Sequence, residues 1–264
     1  MTQSYSCTCL SVSVILPVHN GERFLAGALQ NIQQQQYQPI EIIVIDDGST
    51  DATAKIAAEF GDSIRYIYQS QQGPAAARNR GIEQSAGEII AFLDVDDLWP
   101  ENKLAHQVGY LAKHPDVDIA QGLIQRMQAD KSDDDPDGLQ RKQSEPLSFN
   151  SVFEPYFFIN LGSCVYRRSL FEQVGLFDEA LWDNEDTDWF TRAWEKNINK
   201  VSLSEIGLFY RKHDCNMTLQ QKNLVYFGLM KIYKRRIARS RANPALATQE
   251  RAVGWAEYLG QPPD

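Results

Sequence analysis

Cysteine is scarce in this chain of 264 residues, which has only Cys7, Cys9, Cys164 and Cys215. Their spacing matches neither a zinc-binding pattern nor the dense framework of a small disulfide-linked protein. We therefore expect reduced thiols, as in a cytoplasmic protein, and no structural zinc.

Long apolar runs are missing as well. No segment approaches the roughly 20 apolar residues of a membrane-spanning helix. The first eleven residues lack the basic start and apolar centre of a secretory signal. These absences predict a soluble cytoplasmic protein, or one attached peripherally to the inner face of the plasma membrane.

Positive charge is in deficit, because 26 Lys and Arg stand against 35 Asp and Glu, for a net charge of −9. Such a balance argues against an extended nucleic-acid surface and favours small-molecule partners. No nucleic-acid partner is therefore expected.

What is present is a regular alternation of two periodicities. β-Branched runs at residues 12–18 and 41–46 predict strands, and residues 21–36 between them carry apolar side chains at helical spacing. Parallel strands joined by helical crossovers form a doubly wound sheet, so we predict an α/β fold with a mostly parallel sheet and helices on both faces. Further strands are predicted at 64–68, 88–93, 117–121, 163–167, near 201 and at 208–211, and further helices at 51–60, 74–85, after 100, at 185–197 and from 219 onward.

Carboxylates follow the fourth of these strands, where Asp94, Asp96 and Asp97 end an apolar run. Ligands of doubly wound sheets bind beyond the carboxyl ends of the strands, and carboxylate oxygens suit Mg²⁺ or Mn²⁺. The cluster therefore predicts a site for a metal ion and a diphosphate. The alternative is a helix cap, since Asp favours such positions and Pro100 is suited to open the next helix.

A second acidic cluster, at residues 183–188, opens a predicted helix. The helix dipole accounts for one or two acids there, but this segment has four. Trp182 and Trp189 add aromatic surface suited to sugar rings, so a carboxylate between them is a candidate general base toward a hydroxyl.

Two basic elements complete the set of candidates. Arg78 or Arg80 reaches toward a phosphate or forms a solvated helix face with Glu83. Arg211 and His213 follow a strand, where His213 contacts a metal or a diphosphate or is an ordinary surface histidine.

Six segments, in their order along the chain, form a recognisable set: 17–20, 46–51, 73–79, 94–97, 175–179 and 185–188. Together they resemble glycosyltransferase family 2, which has the GT-A fold. The resemblance spans about residues 12–213 and implies an inverting enzyme that uses Mg²⁺ or Mn²⁺. Its donor would be a nucleotide-sugar, with a UDP-sugar favoured, and its acceptor a carbohydrate or a lipid-linked molecule in cell-surface polysaccharide or glycoconjugate synthesis.

The resemblance also implies roles for individual residues. Asp186 would be the general base, and Asp96 would hold the metal, with Asp97 and His213 as further candidate ligands. Asp46 or Asp47 would read the nucleobase. The remaining donor-binding candidates are Pro17, His19, Glu22, Arg78, Asp94 and Arg211.

The same resemblance implies a division of the chain. A flexible tail (1–11) precedes a GT-A catalytic domain (12–215), which consists of a nucleotide-sugar half (about 12–122) and an acceptor half (about 145–215). A helical extension (216–264) follows, and the acidic segment 129–144 is predicted to be a mobile loop. The basic positions of 230–241 suit either an anionic membrane or packing on the catalytic domain. A homo-oligomer is a further hypothesis.

Two alternative functions fit parts of the pattern. A phosphatase of the haloacid-dehalogenase kind has an acidic motif like that at Asp94, but here the motif follows the fourth strand and not the first. A catalytically silent nucleotide-sugar binding module would not need the acids at 94–97 and 185–186, which are intact.

Overall fold

The structure is a computed structural model that describes residues 9–129, 149–151, 154–212, 222–243 and 253–260. The strands are β1 (Val12–Val18), β2 (Ile40–Asp47), β3 (Arg65–Gln69), β4 (Ile89–Phe92), β5 (Ile119–Ala129), β6 (Phe149–Ser151), β7 (Cys164–Arg167) and β8 (Lys200–Lys212). The helices are α1 (Leu25–Gln33), α2 (Thr53–Glu59), α3 (Pro74–Gln84), α4 (Lys103–Lys113), α5 (Leu170–Gln173), α6 (Glu185–Glu195), α7 (Lys222–Ala242) and α8 (Trp255–Leu259).

The strands form one sheet in the order β3-β2-β1-β4-β7-β5-β6, with β8 paired to β5. β1 pairs in parallel with β2 and β4, and β2 with β3. β7 runs antiparallel to both β4 and β5, which joins the parallel half to the rest of the sheet. The prediction of a mostly parallel α/β sheet is confirmed.

Apolar side chains of β1 alternate between the two faces of this sheet. Val14 packs in one core cluster, with Leu29 of α1 and Val108 of α4. Ile15 packs in the other, which includes Phe92 and the Trp189 ring of α6. Helices therefore cover both faces, as predicted, and the carboxyl ends of β1, β2 and β4 are left for ligands.

The last strands differ from the prediction. β5 does not stop at residue 121 but continues to Ala129, and the two strands predicted near 201 and at 208–211 are one strand, β8. Their pairing shifts register beside Gly122. A Cβ on Gly122 would lie 2.7 Å from the Cα of Gly207, so only glycine lets the two backbones approach this closely.

Helix α7 packs against α6 and α8. Ile232 is buried, Arg239 pairs with Glu195, and Arg236 lies over the rings of Trp194 and Trp255. Of the two alternatives for the basic segment 230–241, the structure shows packing on the rest of the chain. Contact with a membrane stays a prediction.

The helices in the described ranges do not combine the length and the apolar character needed to cross a bilayer. The tail 1–8 and the acidic segment, apart from Ala129, lie outside the described residues.

Candidate active site

The loops after β1 and β2 are joined to each other by hydrogen bonds. His19 Nδ1 lies 2.8 Å from the carbonyl oxygen of Asp47, and the backbone N–H of Asn20 donates to Ser49 Oγ at 2.8 Å. The backbone N–H of Thr50 donates to Asn20 Oδ1 at 2.8 Å. These bonds place the exposed His19 ring at the edge of the strand tips, where the sequence predicted it.

Glu22 lies in the same corner and holds the start of α2. Its Oε2 accepts from the backbone N–H of Ala52 at 2.9 Å, and its own N–H donates to Asp51 Oδ2 at 3.0 Å. Pro17 is half-buried in β1 and pairs in register with Ile45 of β2. Glu22 therefore lies in the loop after β1 and Pro17 next to the carboxyl end of β1, and their contact with a nucleoside stays a prediction.

The carboxylates of Asp46 and Asp47 are buried and accept hydrogen bonds from the protein itself. Asp46 accepts from the backbone N–H of Ser49 at 2.7 Å and from Tyr66 Oη at 2.5 Å. Asp47 accepts from Gln69 Nε2 and from the backbone N–H groups of residues 72 and 73, each at 2.8 Å. Asp47 therefore organises the loop from 69 to 73, whereas Asp46 holds the turn up to Ser49 and the Tyr66 side chain of β3.

The carboxylates after β4 lie together, as predicted. Asp97 is 2% exposed, and its Oδ1 accepts from the backbone N–H of Arg211 at 2.9 Å. Burial, and then the negative charges of Asp96 and Asp94, raise the pKa of Asp97 well above its ordinary value. Arg211 Nε also donates to the carbonyl oxygen of Asp96. β8 therefore brings a cation to the predicted metal and diphosphate site.

The side chains of Asp96 and Asp97 are carboxylates, the ligand type that divalent ions prefer, and their binding of an ion stays a prediction. The described ranges contain no group of three or more His, Cys, Asp or Glu arranged to hold a metal, and His213 lies outside them. Mg²⁺ is commonly bound by one or two carboxylates together with waters and substrate phosphates, so a complete protein cage is not required. Asp96, with Asp97 beside it, supplies ligands of this kind.

Arg78 joins the two acidic clusters. It is buried on α3, where its Nη2 contacts Asp94 Oδ1 at 2.7 Å and its Nη1 contacts Glu185 Oε1 of α6. Burial alone would lower the pKa of Arg78, but the negative charges of Asp94 and Glu185 raise it by more. The net shift is upward, so the guanidinium stays charged. The sequence placed Arg78 near the nucleotide; the structure adds its contact with Glu185, 107 residues away, which no local pattern indicates.

Asp186, the predicted base, lies next to this ion pair in the first turn of α6. Its Oδ1 accepts from the backbone N–H of Thr187 at 2.6 Å. Burial raises the pKa of Asp186, although the hydrogen bonds from Thr187 and the charge of Arg78 oppose the shift. Burial likewise raises the pKa of Glu185 to about 7, against the effect of Arg78. A carboxylate with a raised pKa is a better proton acceptor than an ordinary aspartate.

The two tryptophans of this segment have different positions. Trp189 is fully buried in the core, and its Nε1 donates to the carbonyl oxygen of Gly175 at 2.9 Å, so the prediction that it offers surface to a sugar is wrong. Trp189 lies on the buried face of α6 with Phe190 and Ala193. Trp182, which precedes the helix, is 54% exposed.

Asn79 is a residue of the site region whose role the sequence did not predict. Its Nδ2 donates to the carbonyl oxygen of Phe177 at 3.0 Å, and its Oδ1 accepts from the N–H of Phe177 at 2.9 Å. Asn79 therefore fastens the segment 175–179 to α3, next to Arg78. Both segments had been singled out as motifs, but their contact is a long-range feature.

The chain is similar to known sequences. The family model described as glycosyl transferase family 2 matches residues 13–175. An uncharacterized glycosyltransferase of Rickettsia typhi is 32% identical over 233 residues, which are 83% of this chain and 71% of that protein. Another, of Rickettsia prowazekii, is 35% identical over 184 residues, which are 68% of this chain and 57% of that protein. Glycosyltransferase GlyA of Streptococcus pneumoniae is 32% identical over 74% of this chain, which spans only 25% of GlyA.

Solved structures share the fold. TarS 1-349 of S. aureus in complex with UDP-GlcNAc has a TM-score of 0.60 at 22% identity, over 78% of this chain and 60% of that one. The mannosyltransferase PcManGT of Pyrobaculum calidifontis, in complex with GDP-Man and Mn²⁺, has a TM-score of 0.64 at 21% identity, over 86% of this chain and 64% of that one. The predicted GT-A fold is confirmed.

Proposed function

The chain belongs to glycosyltransferase family 2, and on that premise we propose that it transfers a sugar from a nucleotide-sugar to an acceptor hydroxyl, with a divalent ion and with inversion at the anomeric carbon. A UDP-sugar is the favoured donor, and a carbohydrate or lipid-linked acceptor of cell-surface polysaccharide or glycoconjugate synthesis is the proposed partner. Family membership removes the phosphatase alternative.

The contact of Arg78 with both acidic clusters is the observation that carries this proposal. Asp94 belongs to the strand tip where the donor would bind, and Glu185 lies next to the candidate base. A transferase needs the base and the donor beside one reacting carbon. Arg78 joins α6, which carries the candidate base, to Asp94 after β4, where the donor would bind. The relatives support the donor class, since a fold neighbour was solved with UDP-GlcNAc and another with GDP-Man and Mn²⁺.

The proposed chemistry divides the work between the clusters. Asp186 takes the proton of the acceptor hydroxyl. The hydroxyl oxygen attacks the anomeric carbon on the face opposite the diphosphate, and this gives inversion. A divalent ion held by Asp96 and Asp97 would supply positive charge to the departing diphosphate. Arg211 adds a second positive charge beside Asp96.

A turnover assay tests this function. The purified chain is incubated with UDP-, GDP-, dTDP- and CMP-sugars, with Mg²⁺ or Mn²⁺ or with EDTA, and nucleotide release is measured. We expect release from one nucleotide class, its loss in EDTA, and a product of inverted anomeric configuration by NMR. Binding without turnover would favour the silent binding module, and turnover unaffected by EDTA would reject the metal.

A further inference from the structure

Trp182 lies directly before the second acidic cluster (183–188) and contacts Gly73, which precedes α3. An ideal Cβ placed on Gly73 would be 3.5 Å from the Trp182 ring, so one part of the ring rests on the loop that Asp47 holds. Gly73 has φ +95°, a conformation that excludes most side chains and keeps this contact open to the ring. More than half of the Trp182 side chain still faces solvent.

The backbone around Trp182 is fixed on both sides. Leu181 before it is buried, and its N–H donates to the carbonyl oxygen of Asp178 at 3.0 Å. Asn184 after it has φ +58°, and Glu185 is held by Arg78. An exposed indole on such a supported segment is already oriented, so a ligand that stacks on it pays little ordering entropy.

We infer that the exposed face of Trp182 binds the apolar face of an acceptor pyranose and so sets the preference for a sugar acceptor. This inference rests on the proposed function. The acceptor side is chosen because Trp182 lies four residues before Asp186, the group that must meet the acceptor hydroxyl. Indole rings are rigid and largely apolar, and the C–H face of a pyranose buries apolar area on them.

The test compares Trp182→Ala and Trp182→Phe with the unaltered chain, with Tyr233→Ala as the matched control. Tyr233 is 53% exposed on α7, outside the candidate site. The probes are the methyl glycosides of glucose, galactose and N-acetylglucosamine, added to a donor that the enzyme already hydrolyses slowly to the free sugar. The rate of donor consumption gives KM for the glycoside and, without glycoside, KM for the donor.

We expect at least one methyl glycoside to accelerate donor consumption, and its KM to rise about tenfold in Trp182→Ala, a loss in the range of a good aromatic contact. Trp182→Phe should keep most of the affinity, and Tyr233→Ala all of it. Donor KM and hydrolysis should stay within twofold in Tyr233→Ala. In the two Trp182 variants donor hydrolysis should remain measurable, which shows that they are folded, and in Trp182→Ala the donor KM should rise several-fold less than the glycoside KM.

Three results would overturn the inference. The first is an unchanged KM for the glycoside in Trp182→Ala. The second is an equal rise in the donor KM, which would place Trp182 on the donor side. The third is that no glycoside accelerates the consumption of a donor that the enzyme turns over. Absence of any donor binding or turnover in the unaltered chain would instead reject the proposed function on which the inference rests.

Discussion

Asp186 is the residue whose chemistry can be tested most directly. Asp186→Asn keeps the shape of the side chain but removes the proton acceptor, so turnover is expected to fall by about 10² or more, the usual share of a positioned base. Nucleotide binding, measured by calorimetry, should be unchanged. Asp116→Asn, an exposed position after α4 and outside the candidate site, is the control and should keep its activity. Near-normal turnover in Asp186→Asn would move the role to Glu185.

The raised pKa of Asp186 gives the same residue a pH signature. Only the ionised carboxylate accepts a proton, so kcat should fall as pH decreases through its pKa. Because burial raises that pKa, we expect the midpoint of the acidic limb above 3.8, the ordinary value for an aspartate. A kcat that stays constant down to pH 4 would contradict this assignment.

Asp96 is the corresponding test at the donor end. Asp96→Asn removes a charged ligand to a hard cation, so it should weaken metal-dependent binding of a nucleoside diphosphate at least about tenfold. Calorimetry with Mn²⁺ and with EDTA measures the metal-dependent part. Asp62→Asn, an exposed position after α2, serves as control. Equal metal dependence in the Asp96 variant and the unaltered chain would show that the ion is held elsewhere.

Between elements, the contact of α3 with α6 depends on Arg78. Arg78→Met leaves the buried carboxylate of Glu185 without its cation, which typically costs about 3 kcal/mol or more. We expect this loss in urea unfolding, and a partial recovery in Arg78→Met with Glu185→Gln, where the uncompensated charge is also removed. Arg80→Met on the exposed face of α3 should change stability little. Additive losses in the double variant would show that the ion pair does not couple the helices.

Helix α4 offers a second test at this scale, through a lysine buried beneath the sheet. Lys103 is 2% exposed; its Nζ donates to the carbonyl oxygen of Cys164 at 3.1 Å and lies 4.3 Å from the centre of the Trp99 ring. Burial lowers the pKa of Lys103 from 10.5 to about 7, with Cys164 opposing the shift. The unfolded chain therefore holds more protons than the folded one between about pH 7 and 10.5.

Stability contributed by this lysine should consequently rise with pH, by at most about 1.4 kcal/mol per pH unit within that window. Lys103→Met removes the dependence. The quantity measured is the free energy of unfolding in urea of Lys103→Met minus that of the unaltered chain. This difference should be larger at pH 6.5 than at pH 9. Lys113→Met, an exposed position on α4, is the control. A constant difference between variant and unaltered chain at both pH values would contradict the shifted pKa.

For the molecule as a whole, the sequence predicted the parallel half of the fold well. The strand expected at 88–93 is β4 (Ile89–Phe92), because it is a continuous apolar run. The helix expected at 74–85 is α3 (Pro74–Gln84), because proline suits the first position of a helix. The antiparallel placement of β7 and the union of two predicted strands into β8 depend on partners far along the chain. No local pattern specifies such pairings.

The candidate site divides in the same way. The acidic motifs were recognised because several carboxylates close together in sequence exceed what helix caps need. The internal hydrogen bonds of Asp47 and the burial of Trp189 are set by three-dimensional neighbours, so they were not predicted. The roles that the family resemblance gives to individual site residues stay predictions until the variants above are measured.

The ion pairs of Arg78 also limit how this protein can be recombined with its relatives. Arg78 and Asp94 belong to the half assigned to the donor, and Glu185 to the half assigned to the acceptor. A chimera that exchanges the second half at a crossover between residues 130 and 148 keeps this bridge only if the incoming segment carries an acid equivalent to Glu185. The half proposed to bind the acceptor is therefore not a freely exchangeable module, and a library of such chimeras should be filtered on this pair before any screening.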